Sequence, residues 1–323
     1  MSKTALVADI GGTNARFAMV DLDDVGTPEF KTYPCADFRS LSEAAATFVR
    51  DTSAKPSTAA FGIAGPVSGT KGTITNLSWS MTTAELAEAT GAGSVLLVND
   101  FESLALSVQL LAGPDVRQLG GGDPVERATK GVVGPGTGLG AGGLVWSASR
   151  WMPIPGEGGH TSFAAETVEE LEILAPAMKQ FEHFSNERVL SGPGLINLYT
   201  CFAARHGVTL PQQIGASEVT RRAAAGADPI ASEALAFFVK ALGRFAGDTA
   251  LMLGARGGVY LGGGIPPKIQ DALAVPEFRE AFESKGRLAA FVKPIPVYVI
   301  LAKDAGLRGT AIALKTALAE GRL

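Results

Sequence analysis

Residues 8–16 read ADIGGTNAR, with a glycine pair and Thr13-Asn14 between two apolar runs, TALVADI and RFAMVD. Apolar runs joined by two glycines predict a pair of β-strands in a hairpin. The same turn is typical of a phosphate site, because glycines leave backbone N–H groups accessible to an anion. Taken alone, the stretch leaves both interpretations open.

The pattern occurs a second time in GVVGPGTGLGAGGLVW, residues 131–146, which again predicts strand, glycine turn and strand. A third glycine turn, Gly262 to Gly264, follows the apolar run GGVYL. Two such hairpins could hold one polyphosphate between two domains. No turn matches GxxxxGK[ST], which excludes a Walker-type loop, and none is GxGxxG opening a helix, so a dinucleotide Rossmann site is poorly supported.

Strand and helix patterns alternate through the first third of the chain, which predicts an α/β domain with a largely parallel or mixed sheet. Near Gly113-Pro114 the pattern changes to glycine-rich connections. We therefore predict a small α/β domain over residues 1–110 and a large α/β domain over residues 111–301. The alanine-rich C-terminal helix, within residues 302–323, is predicted to pack back on the small domain.

Composition excludes several classes of protein. The 323 residues are 46% hydrophobic and 19% charged, which is typical of a compact domain rather than a disordered chain. A net charge of −4 gives no basic surface for nucleic acid or an anionic membrane, and neither partner is expected. Two distant cysteines without CxxC spacing argue against a structural zinc site and for a reducing compartment. No apolar run of about 20 residues predicts a membrane span, and we therefore expect a cytoplasmic protein.

Asn99-Asp100 follows the apolar run SVLLV and precedes a predicted helix. Asp100 is therefore a candidate N-cap. It is equally a candidate base, because ligands of open α/β sheets bind outside the carboxyl ends of the strands.

The segment PGEGGH carries Glu157 and His160 on either side of two glycines that permit close approach of a ligand. Carboxylate and imidazole groups suit the hydroxyls of a sugar ring. A metal site is the alternative here, although HExxH is absent. Glu187, by contrast, reads on its own as a first-turn helix carboxylate.

The chain resembles the bacterial glucokinases over nearly its whole length. The matching stretches occur in order along the sequence: ADIGGTNAR, GIAGPV (62–67), NLSW (76–79), VNDF (98–101), GPGTGLG (134–140), PGEGGH (155–160), SNERVLSGPGL (185–195) and GGVYLGGGIPP (257–267). The resemblance implies the actin-like ATPase (ribonuclease H-like) fold, with a cleft between a small and a larger α/β domain. It also implies transfer of the γ-phosphoryl group of ATP to the 6-hydroxyl of glucose, giving glucose 6-phosphate and ADP.

The resemblance also implies roles for individual residues. Asp100 would be the catalytic base, and the sugar would contact Asn99, Asp100, Glu157, His160 and Glu187. Asp9 would face a phosphate-bound Mg²⁺ through water, since magnesium takes few carboxylates and keeps several waters. A homodimer is expected. The nucleotide would contact Ala8, Asp9, Ile10, Gly11, Gly12, Thr13, Asn14, Gly136, Thr137, Gly138, Gly263 and Gly264.

Three other functions compete with this interpretation. The same polar side chains suit a kinase of another hexose or of an amino sugar. An actin-like ATPase without a sugar substrate would turn over ATP regardless of sugar. A non-catalytic sugar sensor should lack an intact pair of Asp9 and Asp100, and both residues are present.

Overall fold

The computed structural model of the chain describes residues 4–210 and 214–323. It contains two compact units. Unit 1 comprises residues 1–113 together with 302–323, and unit 2 comprises residues 114–301. That each unit is an independent domain stays a prediction.

Unit 1 is an α/β unit whose elements alternate along the chain. In order they are β1 (Thr4–Ile10), β2 (Asn14–Asp21), β3 (Lys31–Pro34), α1 (Leu41–Thr52), β4 (Thr58–Ile63), β5 (Val67–Ser68), β6 (Lys71–Thr73), β7 (Ser80–Thr82), α2 (Thr83–Thr90), β8 (Ser94–Asn99), α3 (Asp100–Ser107) and the C-terminal helix α11 (Ala305–Ala319).

The main sheet of unit 1 has the strand order β3-β2-β1-β4-β8, and β5, β6 and β7 form a smaller antiparallel sheet. Strands β1, β4 and β8 are parallel, and their register aligns Ile10 with Ile63 and Ile63 with Asn99. The carboxyl ends of β1 and β8 therefore lie at one edge of the sheet. The side chains of Asp9 and Asp100 are brought to that edge.

Local sequence signals account for the helix ends in unit 1. The Ser40 hydroxyl caps α1 by accepting from the N–H of Glu43. Thr82 and Glu85 form a reciprocal capping box at the start of α2, and Gly91 ends that helix in the left-handed conformation. Each cap satisfies backbone groups that a helix terminus leaves without a partner.

The closing helix begins earlier than the sequence pattern indicates. Alanine-rich spacing predicts a helix from Gly309 to the C-terminus, whereas α11 begins at Ala305 and ends at Ala319. The extra first turn includes a buried ion pair between Arg308 Nε and Asp304 Oδ2, at 2.8 Å. This pair spans one helical turn, and it holds the start of the helix in the interior of unit 1.

Unit 2 carries the remaining elements. They are β9 (Val116–Gly120), β10 (Lys130–Pro135), β11 (Leu139–Ser147), β12 (Arg150–Ile154), α4 (Val168–Met178), α5 (Gly192–Arg205), α6 (Ala216–Ala224), α7 (Pro229–Leu253), β13 (Val259–Leu261), α8 (Gln270–Leu273), α9 (Pro276–Glu283), α10 (Ala289–Val292) and β14 (Val297–Ile300).

The sheet of unit 2 has the order β12-β11-β10-β13-β14-β9. Its central strands β10, β13 and β14 are parallel, while β11 returns antiparallel to β10 after the second glycine turn. Helix α7 supplies many of the buried side chains of the core, among them Phe238, Leu242 and Phe245. Among the described residues, no helix combines the length and apolarity that a bilayer crossing requires.

Helix α11 approaches its neighbours closely through small residues, so we predict that one added methyl group destabilises unit 1. A Cβ at Gly309 would overlap the backbone carbonyl of Ser103 in α3. We expect Gly309→Ala to lower the free energy of unfolding by about 2 kcal/mol or more in chemical denaturation. Lys315→Ala, on the exposed side of the same helix, should change it by less than about 0.5 kcal/mol. Equal effects of the two variants would contradict this packing.

Candidate active site

Asp9 lies near the carboxyl end of β1 and is paired with an arginine across the first hairpin. The antiparallel register of β1 and β2 places Asp9 opposite Arg16, and Arg16 Nη1 donates to Asp9 Oδ2 at 3.0 Å. Burial raises the pKa of Asp9, and the charge and hydrogen bond of Arg16 partly oppose that rise. The carboxyl group therefore sits where a negative charge is costly and a nearby cation is favoured.

Asp100 is the first residue of α3, and its neighbour Asn99 is the N-cap. Asn99 Oδ1 accepts from the N–H groups of Phe101 and Glu102, at 2.9 and 3.2 Å. The interpretation of Asp100 as N-cap is therefore wrong. Strand β8 ends at Asn99 and α3 begins at Asp100, so Asn99 takes the capping position. Asp100 Oδ1 accepts from the N–H of Phe101 at 2.9 Å.

Burial and a neighbouring negative charge together raise the pKa of Asp100 to about 7. Burial is the larger cause, Asp9 adds to it, and the backbone N–H of Phe101 opposes it. Two carboxyl groups that meet in a buried environment cannot both ionise freely, so one of them holds its proton to near neutral pH. Asp100 is thus poised to exchange a proton in the physiological range.

The first glycine turn joins β1 to β2 and is closed by a hydrogen bond from Gly11 N to Asn14 O, at 3.0 Å. Cys35 stabilises the turn through two hydrogen bonds. Its N–H donates to Thr13 O at 2.8 Å, and its thiol donates to Gly11 O at 3.5 Å. Gly12 faces Asn76, whose Cβ would lie 3.3 Å from an added Cβ. Gly12 is therefore packed closely against Asn76.

The second glycine turn, in unit 2, is held by Glu187 and by the start of α5. Glu187 Oε2 accepts from the N–H of Leu139 at 2.9 Å, and Gly192 N donates to Gly136 O at 2.8 Å. A Cβ on Gly138 would lie 2.5 Å from Glu187 Oε2. Gly138 thus packs closely against the Glu187 carboxylate, which a side chain at position 138 would displace, and Glu187 is a partner of the turn.

The third glycine turn lies directly against the second. Gly262 N donates to Val133 O at 2.8 Å, and Ile265 N donates to Pro135 O at 3.2 Å. Gly263 has a φ of +78°, and a Cβ there would lie 2.6 Å from Pro135 O. Only glycine meets both conditions. The structure therefore brings the second and third turns together at the carboxyl end of β10.

The segment PGEGGH packs on the first residues of β11. Glu157 forms an isolated parallel bridge with Ala141, and a Cβ on Gly159 would overlap the carbonyl of Leu139. Since Glu187 binds the N–H of the same Leu139, the segments that carry Glu157, His160 and Glu187 converge on one backbone position.

Further hydrogen bonds join those segments to each other. Asn186 Nδ2 donates to the carbonyl and the hydroxyl oxygen of Thr161, both at 3.0 Å. The ring of His183 donates to His160 O at 2.8 Å. Asn186 and His183 therefore orient the candidate sugar residues without being candidates themselves.

The described residues include no group of three or more His, Cys, Asp or Glu side chains that could enclose a metal ion. Mg²⁺ does not need one, because it takes one or two carboxylates and retains several waters. Two adjacent carboxyl groups with raised pKa values are a suitable donor set, since a bound cation would relieve their repulsion. The residues at this edge of unit 1 fit a hydrated Mg²⁺.

Several residues of the site carry no assignment from the sequence. Arg16 stands in the quoted stretch, and counting the hairpin register from Ile10 opposite Ala15 would have placed it against Asp9. Cys35, Asn186 and Gly306 have no such local signal, because the partners described above lie more than 20 residues away along the chain.

The raised pKa of Asp100 predicts a stability that depends on pH. The folded state retains a proton up to pH of about 7 that the unfolded chain releases near pH 4, so wild-type stability falls as pH rises between these values. Asn cannot ionise. We expect Asp100→Asn to be more stable than wild type at pH 8, by at most about 4 kcal/mol, with the gain disappearing toward pH 4.

Urea denaturation of both proteins at the two pH values measures this difference, with Asp37→Asn, at an exposed carboxylate, as the control. A difference between Asp100→Asn and wild type that is the same at both pH values would contradict the raised pKa.

Known proteins resemble this chain over almost all of its length. A family model described as Glucokinase matches residues 6–317. A glucokinase of Aromatoleum aromaticum is 44% identical over 316 residues, which cover 97% of this chain and 95% of that protein. A glucokinase of Neisseria meningitidis is 42% identical and covers 96% of this chain and 94% of its own length.

Among solved structures, that of a glucokinase from an Antarctic psychrotroph is 34% identical to this chain, with a TM-score of 0.86. The match covers 98% of this chain and all of the other. The predicted α/β class and the actin-like fold of the sugar kinases are confirmed. With the family model and these relatives in agreement, the chain belongs to the glucokinase family.

Proposed function

We propose that this protein transfers the γ-phosphoryl group of ATP to the 6-hydroxyl of glucose, giving glucose 6-phosphate and ADP, with Asp100 as general base. Membership of the glucokinase family supports the reaction. The observation that carries the role of Asp100 is its position beside Asp9 at the carboxyl end of β8, with a pKa of about 7.

A carboxylate at that position matches the main protic requirement of the reaction. A primary hydroxyl is a poor nucleophile, and its proton must leave as the oxygen forms a bond to the γ-phosphorus and the bond to ADP breaks. Asp100 accepts that proton on a carboxylate oxygen, which contributes roughly 10²–10⁴-fold in rate. The remaining catalysis is positioning and charge stabilisation, as in other phosphoryl transfers.

The glycine turns would bind the nucleotide. In the turns at Gly11 to Thr13 and at Gly136 to Gly138, glycines would let backbone N–H groups face an anion, although the N–H groups of Gly11 and Gly136 themselves close the turns by donating to Asn14 O and Gly138 O. Gly263-Gly264 would lie toward the nucleoside. Asp9 would hold Mg²⁺ through water. When bound, the ion supplies positive charge that offsets the charge of the phosphates.

Glucose would contact Asn99, Asp100, Glu157, His160 and Glu187. Two neighbouring side chains of unit 2 already form hydrogen bonds with the backbone, Glu187 through Oε2 and Asn186 through Nδ2. These hydrogen bonds would hold the sugar-binding segments in place. Within the part of the chain that the structure describes, Asn99 Nδ2 donates once, to Gly65 O at 3.1 Å, so its second amide hydrogen would be available to the sugar. A sugar hydroxyl can donate to the carboxylates, and it can accept from the amide of Asn99 or from a ring N–H of His160.

The wider setting of the reaction completes the proposal. We expect a homodimer in the cytoplasm. Each subunit would consist of a small domain, residues 1–110 with 302–323, and a large domain, residues 111–301. Another hexose or an amino sugar is the nearest alternative substrate. An actin-like ATPase without a sugar substrate would hydrolyse ATP at the same rate with and without glucose.

Asp100→Asn tests the proposed base. We expect the variant to fold, to bind glucose in calorimetry, and to lose at least about 10²-fold in kcat, because Asn keeps the shape but cannot accept the proton. For the wild type, kcat/KM for glucose should fall as pH drops below about 7, since this ratio reports the ionisation of the free enzyme.

Glu102→Gln serves as the matched control, because Glu102 is an acidic residue in the same helical turn. Its turnover should stay close to wild type. Near-normal turnover of Asp100→Asn would refute the assignment of the base, whereas ATP consumption that ignores glucose in the wild type would refute the sugar substrate.

The sugar contacts give a separate prediction. Glu157→Gln and His160→Ala should mainly raise the KM for glucose, because they remove contacts made before as well as during the transition state. Both residues are exposed in the structure. Once glucose covers them, a polar group left without its partner typically costs about 1–3 kcal/mol, which is roughly a 5- to 150-fold loss in affinity. Steady-state kinetics measure the change, and wild-type KM and kcat in both variants would remove PGEGGH from the sugar site.

A further inference from the structure

The first turn of α11 lies against the carboxyl group of Asp9. A Cβ added to Gly306 would come within 2.6 Å of Asp9 Cγ and 2.8 Å of both carboxyl oxygens. A point nearest to Cγ and equidistant from the two oxygens lies over the flat face of the carboxyl group. The hydrogen atoms of Gly306 therefore occupy a space that no other residue type could share with Asp9 in its present rotamer.

The helix cannot withdraw to make room. Three residues further on, Gly309 meets the backbone carbonyl of Ser103, and Thr310 Oγ1 lies 3.0 Å from Ser103 Oγ. The Thr310 hydroxyl also donates to Gly306 O at 2.8 Å, which ties the first turn to this contact. The ion pair of Asp304 with Arg308 is buried at the same end of the helix.

The strand on the other side is equally constrained. Asp9 lies in β1 between β2 and β4, paired in register with Arg16 and with Gly62. Gly62 itself approaches α11 so closely that a Cβ there would lie 2.7 Å from Thr310 Oγ1. Since helix and strand backbones are both held, a side chain at position 306 can be accommodated only by movement of the Asp9 carboxyl group.

We infer that Gly306 is a positioning residue for the phosphoryl transfer: it lets α11 confine the Asp9 carboxyl group to the orientation that serves the nucleotide and its metal. This role rests on the proposed function of Asp9. The contact of Gly306 with Asp9 connects the C-terminal helix to the first glycine turn, almost 300 residues away in sequence. Helix α11 is thus part of the catalytic apparatus as well as of the core.

Gly306→Ala separates this role from a structural one, because the two make opposite predictions for stability. Alanine is a better helix former than glycine, and Gly306 does not have a positive φ. We therefore expect a melting temperature equal to or above that of wild type. Displacement of a reacting-site group by about 1 Å can cost up to about 10²-fold, so kcat/KM for MgATP should fall between about 10- and 100-fold. Glucose affinity in calorimetry should change by less than about twofold.

The decisive arm is a double-mutant cycle with Asp9→Asn. If Gly306 acts through the Asp9 carboxylate, Gly306→Ala should lower the calorimetric affinity for MgADP in the wild-type background and leave it unchanged in the Asp9→Asn background. Gly215→Ala is the matched control, since its added Cβ meets open space and its φ is not positive. It should change neither affinity nor turnover.

Unchanged MgATP kinetics in Gly306→Ala would overturn the inference, and so would an equal loss of affinity in both backgrounds. A variant that melts lower or fails to fold would also overturn it, because the Asp9 side chain would then not be the group that yields. A wild type without glucose-dependent turnover would contradict the proposed function instead, and the MgADP cycle would still decide the role of Gly306.

Discussion

The candidate site depends on one electrostatic constraint: two half-buried carboxyl groups, those of Asp9 and Asp100, lie at the carboxyl ends of parallel strands of one sheet. The parallel register of β1, β4 and β8 brings them there. Arg16 offsets part of the charge on Asp9, whereas no cation of the described residues lowers the pKa of Asp100, which is raised to about 7. An arrangement that costs folding energy would thereby provide the proposed base near neutral pH and the proposed place for a cation.

Close packing through glycine is the second constraint, because several glycines lie against polar groups of the candidate site. Gly138 meets the Glu187 carboxylate, Gly159 meets the Leu139 carbonyl, and Gly306 meets the face of Asp9. None of these three has a positive φ, so close approach rather than backbone conformation distinguishes them: the contact of Gly159 is with backbone, and those of Gly138 and Gly306 are with carboxyl groups. In unit 2 the result is convergence on Leu139, whose N–H and carbonyl contact the two segments proposed to bind the sugar.

Local periodicity and short motifs in the sequence predict those structural features that depend on neighbouring residues. The two hairpins, the capped helices α1 and α2 and the α/β class follow from residues that are near one another in the chain. The N-cap at Asn99 was missed because choosing between adjacent residues needs the end of β8 to within one position. The contacts of Gly306 with Asp9 and of Cys35 with Gly11 depend on tertiary packing, for which one sequence offers no signal.

The ionisation of Asp100 is the most direct test of this account. Carbon-13 NMR of the labelled aspartate carboxyl groups, titrated without ligands and assigned with Asp100→Asn, reports its pKa in the folded protein. The account predicts a value of about 7 in the wild type and a lower value in Asp9→Asn, where the neighbouring charge is gone. A value near 4 in the wild type, unaffected by Asp9→Asn, would contradict it.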